Sequence, residues 1–197
     1  MRSGSSTAGA GPAEADETYI GGKRKNMPLS RRRKMTGRGP AGKAAVAGVR
    51  DRATGRVTAR RVERTDAATL RGLVRDSVEP GATLYTDEAP AYRGMPEYAH
   101  EAVVHSVGEY VRGMAHTNGM EPFWAQLKRG FVGTFHKFSE KHLDRYVRKF
   151  SGRHNSRPRD TLDMMRVVAA GMEGRRLRYR DLAAANGLAS GARPVRA

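Results

Sequence analysis

Three acidic residues stand where carboxylates could take part in chemistry. Asp16 lies in GPAEADETYIGGK, where residues 17–20 are typical of a strand that runs into a Gly-Gly turn. Asp87 ends the apolar segment ATLYTD, and open α/β sheets place active sites outside the carboxyl ends of their strands. Glu121 begins a segment with helical periodicity, so its carboxylate is expected in the first turn of a helix.

Carboxylates of this kind suit metal-dependent phosphodiester chemistry. Two hard cations about 3.5–4 Å apart can activate an attacking oxygen and stabilise a leaving one, and a few carboxylates hold them. Lys128 follows Glu121 by seven residues, two helical turns, so both side chains are expected on one side of the helix. There the lysine could hold a DNA phosphate as a point charge. Spacing alone leaves open whether the three carboxylates meet in the fold.

Composition points to a polyanionic partner. The 197 residues include 37 Lys+Arg against 20 Asp+Glu, a net charge of +17, which favours nucleic acid over an anionic membrane surface. The absence of cysteine excludes disulfides, thiolate metal sites and a cysteine nucleophile. Neither a spanning apolar run nor a signal peptide is present, so we expect a soluble, cytoplasmic protein associated with the nucleoid.

The elements that would position these residues are strands followed by helices. Apolar residues recur at helical spacing from Met120 to Phe131, which predicts an amphipathic helix with Phe123 and Trp124 in the core. The other predicted elements are a hairpin over 44–51 and 55–63, a helix capped by Thr65 or Asp66 and ending near 77, strands over 82–87 and 100–107, and helices over about 139–154 and 160–172. This order predicts an α/β domain with a mixed sheet covered by helices.

Two segments are expected to lie outside that framework. Residues 1–12 have the composition of a disordered leader. From Lys23 to Arg50 there are ten basic residues and no acidic one, which predicts a mobile cationic arm or loop over 23–43 and no regular element. Such an arm suits contact with a DNA backbone.

Four motifs carry a family resemblance. DETYIGGK at 16–23, TDEAPAY at 86–92, HTNGMEPFWAQLKRG at 116–130 and RHNSR at 153–157 resemble the catalytic domain of DDE transposases from small bacterial insertion sequences. The resemblance covers roughly residues 12–157, so we expect a catalytic domain over 13–157 and a C-terminal helix with a loosely held basic tail over 158–197.

The resemblance implies an RNase H-like fold, with a mixed five-stranded sheet flanked by helices. It implies that Asp16 on the first strand, Asp87 after the fourth strand and Glu121 on the next helix are catalytic and bind two Mg²⁺ or Mn²⁺ ions. Asp87 to Glu121 is 34 residues and Glu121 to Lys128 is 7, as in that superfamily. Such domains nick the element's ends and join the freed 3′-hydroxyl to target DNA by in-line phosphoryl transfer.

Several alternatives stay open. Asn118 is a rival third ligand, Glu88 competes with Asp87, and Glu17 is expected to face solvent. A non-catalytic DNA-binding remnant and a general nuclease of the same fold are the other functions. The candidate DNA-binding residues are His116, Asn118, Lys128, Arg129, Lys23, Arg24, Lys25, Arg31, Arg32, Arg33 and Lys34.

The implied partners are double-stranded DNA, comprising element ends and target, and further copies of the chain on that DNA. Only about 15 residues precede Asp16, and no cysteine could build a zinc ribbon. We therefore expect an N-terminally truncated chain, or a separate polypeptide that recognises the ends.

Overall fold

A five-stranded sheet forms the centre of the molecule. The computed structural model describes residues 9–35, 39–87, 89–103, 119–136 and 138–183. The strands are β1 (Ala13–Ile20), β2 (Ala44–Asp51), β3 (Val57–Val62), β4 (Thr83–Asp87) and β5 (Ala99–Val103). Their order is β3-β2-β1-β4-β5, antiparallel from β1 to β3 and parallel from β1 through β4 to β5. This arrangement confirms the predicted RNase H-like mixed sheet and places β1 in its middle.

Helices cover both faces of the sheet. The helices of the described residues are α1 (Leu29–Lys34), α2 (Ala67–Ser77), α3 (Glu121–Arg129), α4 (Leu143–Asn155), α5 (Thr161–Met172) and α6 (Tyr179–Ala183). Of these, α2 covers one face of the sheet, and α3 and α4 cover the other. The predicted cap at Asp66 is confirmed, because its carboxylate accepts from Thr69 N at 2.9 Å. The Asp160 carboxylate caps α5 in the same way, accepting from Asp163 N at 2.9 Å. No helix among the described residues is long and apolar enough to cross a membrane.

Strand alternation divides the core into two layers. One face of β1 carries Ala13 and Ala15, which belong to the cluster under α2 with Leu70 and Val74. The other face carries Ile20 in the cluster formed mainly by α3 and α4. Phe123 and Trp124 are buried there, as the periodicity predicts. Residues two apart on β1 therefore face the same helices, which decides what surrounds each acidic residue.

Helix α4 holds the edge of the sheet through the RHNSR motif. The Asn155 side chain accepts from Val57 N at 2.8 Å and donates to Val57 O at 3.0 Å, so it occupies the place of a neighbouring strand. His154 packs edge-on against Phe123, with the ring centroids 5.6 Å apart. Asn155 and His154 therefore have structural roles, which were not predicted from the sequence.

The segment that joins β1 to β2 corrects one prediction. It contains a 3-10 turn at Arg24–Asn26 and the short helix α1, so a basic arm without regular elements is wrong for these residues. The Arg24 guanidinium donates to Met35 O at 2.8 Å, which connects the 3-10 turn to the residue after α1. Local hydrogen bonds thus order a segment whose charge pattern alone indicated a loop.

The end of the expected leader also takes part in the fold. Gly9 forms an isolated parallel bridge with Val78, in which Gly9 N donates to Ser77 O and Glu79 N donates to Gly9 O, both at 3.1 Å. The prediction of disorder therefore fails at Gly9. Residues 1–8 lie outside the described part of the chain.

Candidate active site

Asp16 lies in the central strand and both of its carboxylate oxygens accept hydrogen bonds. Glu17 N donates to Oδ1 at 2.8 Å. The indole Nε1 of Trp124, on α3, donates to Oδ2 at 2.8 Å. The carboxylate is therefore held by its own strand on one side and by a helix on the other.

Asp87 comes to the same place from β4. The parallel register pairs Ala15 with Thr86, and Asp16 and Asp87 are the residues that follow this pair. The Asp87 carboxylate accepts from Ala89 N at 3.1 Å, an interaction that fixes the turn after the strand. The structure thus brings together two aspartates that are 71 positions apart in the sequence.

The electrostatics at Asp16 reflect this neighbourhood. Burial raises the pKa of Asp16 to about 6, although the hydrogen bonds from Trp124 and Glu17 N lower it. The negative charge of Asp87 raises the same pKa further, and the Lys128 ammonium lowers it. Lys128 is therefore near enough to influence Asp16, as its position on α3 predicts.

Glu121 is the exposed first residue of α3. It precedes Trp124 by three residues, so the two occupy neighbouring positions on one helix face. No three His, Cys, Asp or Glu side chains form a metal-binding group in the ranges that the structure describes. The structure therefore brings Asp16 and Asp87 together and leaves Glu121 at the adjoining helix end.

The donor set at Asp16 and Asp87 fits a hard divalent cation. Both side chains offer carboxylate oxygens, the ligands that Mg²⁺ and Mn²⁺ prefer. The two carboxylates also repel one another, which adds to the larger effect of burial on the pKa of Asp16. A cation bound to both would offset this repulsion.

Glu17 is the first functional candidate that sequence reasoning missed. It faces the α2 side of β1, where the buried Tyr92 hydroxyl donates to Glu17 Oε2 at 3.1 Å. Burial and then the charge of Asp87 raise the pKa of Glu17 to about 7. The expectation of a solvent-facing carboxylate is therefore wrong. Tyr92, 75 residues away, could not be paired with Glu17 from the sequence.

Glu14 is a second carboxylate near the site that the sequence did not reveal. It lies two residues before Asp16 on the same face of β1 and is fully buried. Arg52 Nε contacts Glu14 Oε1 at 2.7 Å and Arg50 Nη1 approaches it at 3.5 Å. The Arg52 guanidinium also lies over the Tyr85 ring, 3.9 Å from its centroid. This carboxylate is therefore neutralised by arginines and is a structural neighbour of the site.

Some of the predicted DNA-binding residues are exposed, and others lie outside the described part of the chain. Lys128 and Arg129 are exposed at the end of α3. Five further candidates lie in the segment that connects β1 to β2, and their side chains are exposed. They are Lys23, Arg24, Lys25, Arg32 and Arg33. The side chains of Arg31 and Lys34 lie outside the described part, as do His116, Asn118 and Glu88.

The chain is similar to a family of known domains and to individual proteins. The sequence model of the ISXO2-like transposase domain matches residues 9–155. A protein described as "Uncharacterized protein in transposable element ISH50", from Halobacterium salinarum, is 35% identical over 154 residues, covering 71% of this chain and 51% of that protein. An "Uncharacterized transposase-like protein" of Haemophilus influenzae is 27% identical over 97 residues, covering 48% of this chain and 77% of that protein. The chain thus spans about half the length of the first relative.

A solved structure is also similar in part. The catalytic core domain of BIV integrase aligns with a TM-score of 0.44 and 11% identity, covering 73% of this chain and 82% of that one.

Proposed function

Because the chain belongs to the ISXO2-like transposase domain family, we propose that it cleaves DNA at the ends of an insertion sequence and joins those ends to target DNA. The observation that carries the proposal is the meeting of Asp16 and Asp87 at neighbouring strands, with Lys128 close to them. Both reactions are in-line phosphoryl transfers, the first with water and the second with a DNA 3′-hydroxyl as the nucleophile.

Asp16 and Asp87 would hold the divalent metal, Mg²⁺ or Mn²⁺, in this proposal. Glu121, at the adjoining end of α3, is the proposed third ligand, with Asn118 as its rival. A pair of such ions supplies activation of the attacking oxygen and charge stabilisation at the leaving oxygen. The hydrogen bonds from Glu17 N and Trp124 keep the Asp16 carboxylate oriented.

The cations around the site would bind the DNA backbone. Lys128 and Arg129 are exposed on α3, and Arg32 and Arg33 are exposed on α1, which follows the carboxyl end of β1. Arginine and lysine side chains of this kind contact phosphates without reading sequence, so they position DNA and do not select it. Recognition of the ends by a separate polypeptide, and assembly of several copies on DNA, belong to the same proposal.

Strand transfer by the full chain tests the assignment. The substrate is DNA that carries the terminal repeats flanking the gene, with Mg²⁺ or Mn²⁺ added or chelated. Because the metal contributes several kcal/mol to the barrier reduction, Asp87→Ala should lower the rate about a thousandfold or more. The matched control is Asp76→Ala, which removes an exposed aspartate that is ion-paired with Arg60 on the surface.

Three results would contradict the proposal. Full activity in Asp87→Ala would remove the site from the reaction. Tight DNA binding with a steep salt dependence, but no cleavage of any substrate with either metal, would instead indicate a non-catalytic binding remnant. Cleavage of RNA–DNA hybrids without preference for the element's ends would indicate a general nuclease.

A further inference from the structure

Trp124 connects α3 to the central strand through a single polar contact. Its side chain is 4% exposed, within the apolar layer between the sheet and α3. From there Nε1 reaches Asp16 Oδ2 at 2.8 Å. A tryptophan needed only for packing gains nothing from lying next to a carboxylate, whereas an indole N–H that is buried needs an acceptor.

Gly48 provides the space for this contact. It is the residue on β2 that the antiparallel register places opposite Asp16. A Cβ at Gly48 would lie 2.9 Å from Trp124 Cη2 and 2.7 Å from Met120 Cε, closer than such atoms pack. The missing side chain therefore lets the indole lie against β2 while its N–H points at Asp16.

We propose that Trp124 is a positioning residue that fixes the Asp16 carboxylate for a divalent cation, and that Gly48 is the gap that admits the indole. The inference rests on the proposed function, since it takes Asp16 as a metal ligand. Each carboxylate oxygen accepts one hydrogen bond, from Trp124 or from Glu17 N, and keeps further lone pairs for a cation. The carboxylate is thereby oriented before the metal arrives, which lowers the entropic cost of binding.

The same bond sets the place of α3 along β1. Glu121 lies three residues before Trp124 and Lys128 lies four after it, so all three share one helix face. Anchoring the middle of that face at Asp16 holds the other two beside the site.

The chain's own fluorescence gives the first readout. Trp124 is the single tryptophan of the protein, so its emission reports the surroundings of Asp16 alone. Titration of the full chain with Mg²⁺ or Mn²⁺ should change this emission. The change should disappear in Asp87→Ala, which removes the second carboxylate and leaves the Trp124–Asp16 bond intact. An emission that does not respond to either metal in the wild type contradicts the inference.

Trp124→Phe gives the second readout, because it keeps an aromatic ring and removes the N–H. We expect Mn²⁺ affinity, measured by electron paramagnetic resonance, to fall about tenfold, as loss of one hydrogen bond to a charged group allows. In strand transfer, the Mg²⁺ concentration for half-maximal rate should rise by a similar factor. The rate at saturating Mg²⁺ should return to within about threefold of the wild-type rate.

Two further variants complete the design. Gly48→Ala keeps the indole but closes its space, so it should weaken Mn²⁺ binding in the same direction. Phe123→Leu is the matched control, since Phe123 is fully buried next to Trp124 and has no side-chain donor for Asp16. It should lower the melting temperature and leave Mn²⁺ affinity unchanged.

The outcomes separate the two proposals. If the wild type binds Mn²⁺ and both Trp124→Phe and Gly48→Ala bind it equally well, the positioning role is wrong and the proposed function stands. If the wild type binds no Mn²⁺ in the absence or presence of DNA, the metal site itself is wrong, and the positioning role falls with it. Should Trp124→Phe fail to fold, Gly48→Ala decides between these results.

Discussion

Two adjacent residues in the middle of β1 carry negative charge in a molecule of net charge +17. Asp16 and Glu17 are successive residues on opposite faces of the strand, and the charge of Asp87 raises the pKa of both. Among the described residues, neither carboxylate is paired with an arginine in the way that Glu14 is. The free protein therefore bears electrostatic repulsion where the proposed reaction takes place.

Burial of these carboxylates, together with this repulsion, predicts how stability depends on pH without metal. The pKa of Glu17 is about 7 in the fold against 4.5 for the ordinary side chain, so the folded protein binds more protons between these values. Stability must then fall as pH rises from about 4.5 to 7, and Asp16 adds the same sign between about 4 and 6. Glu17→Gln keeps an acceptor for Tyr92 and removes the charge. It should stabilise the protein by about 2 kcal/mol at pH 8, about 5 °C in melting temperature.

Thermal unfolding in chelator at two pH values checks this prediction. At pH 4 the variant and the wild type should melt together, because Glu17 is protonated in both states of the wild type. Asp51→Asn, a change at the last residue of β2, whose carboxylate accepts from Ala53 N in the following turn, should not reproduce the pH dependence. The assignment is contradicted if the gain in melting temperature of Glu17→Gln over the wild type is no larger at pH 8 than at pH 4.

Among the elements, the C-terminal end of α4 has the clearest structural effect. Asn155 satisfies both backbone groups of Val57 on the edge strand β3. Without it, one donor and one acceptor lose their partners beside the core. The α4 helix is thus attached to the sheet by hydrogen bonds as well as by the packing of Val147 and Leu143.

Asn155→Ala should therefore lower the free energy of unfolding by about 2 kcal/mol, the loss of two hydrogen bonds in a partly buried place. Urea unfolding monitored by circular dichroism measures it. Ser156→Ala is the neighbouring control, since the exposed Ser156 hydroxyl only donates to Gly152 O within the same helix end. Equal stability of the two variants would show that the edge of β3 does not depend on Asn155.

The elements also show what sequence patterns can and cannot reveal. Strong periodicity gave the hairpin, α2, β4 and the buried stripe of α3, because burial of apolar residues determines those structures. The helix α1 escaped prediction, since its four consecutive cations carry no apolar stripe and local bonds order it. A glycine inside β2 was a usable signal, because glycine in a strand often marks a close approach, here that of Trp124. The hydrogen-bond partner of the Trp124 indole could not be predicted from the sequence, since Asp16 is 108 residues away.

Across the whole molecule, charge is unevenly distributed in a way that suits a polyanion. Cations follow the carboxyl end of β1, whereas other arginines are ion-paired, as Arg60 is with Asp76 and Arg75 with Glu97. If the exposed cations contact phosphates, their removal should reduce counterion release. The exposed arginines of α1 and the ion-paired arginines are therefore expected to differ in what they contribute to DNA binding.

Replacement of Arg32 and Arg33 by Gln should weaken binding to unrelated DNA duplexes and reduce the slope of log K against log salt by about two. Fluorescence anisotropy over a range of salt concentrations measures both quantities. Arg60→Gln with Arg75→Gln removes the same charge from ion-paired positions and should change the slope less. If both double variants reduce the slope equally, net charge and not location governs binding.

The contact between Asp16 and Trp124 also orders events during synthesis. Strands β1 to β3 and the basic segment between them lie within the first 62 residues, whereas the indole that holds Asp16 comes from residue 124. A growing chain can pair its antiparallel strands and display its exposed cations while α3 is still unmade, because nearby contacts form before distant ones. Under the proposed function, the growing chain can bind DNA before its carboxylates are in place, whereas it cannot cleave DNA until α3 has been made.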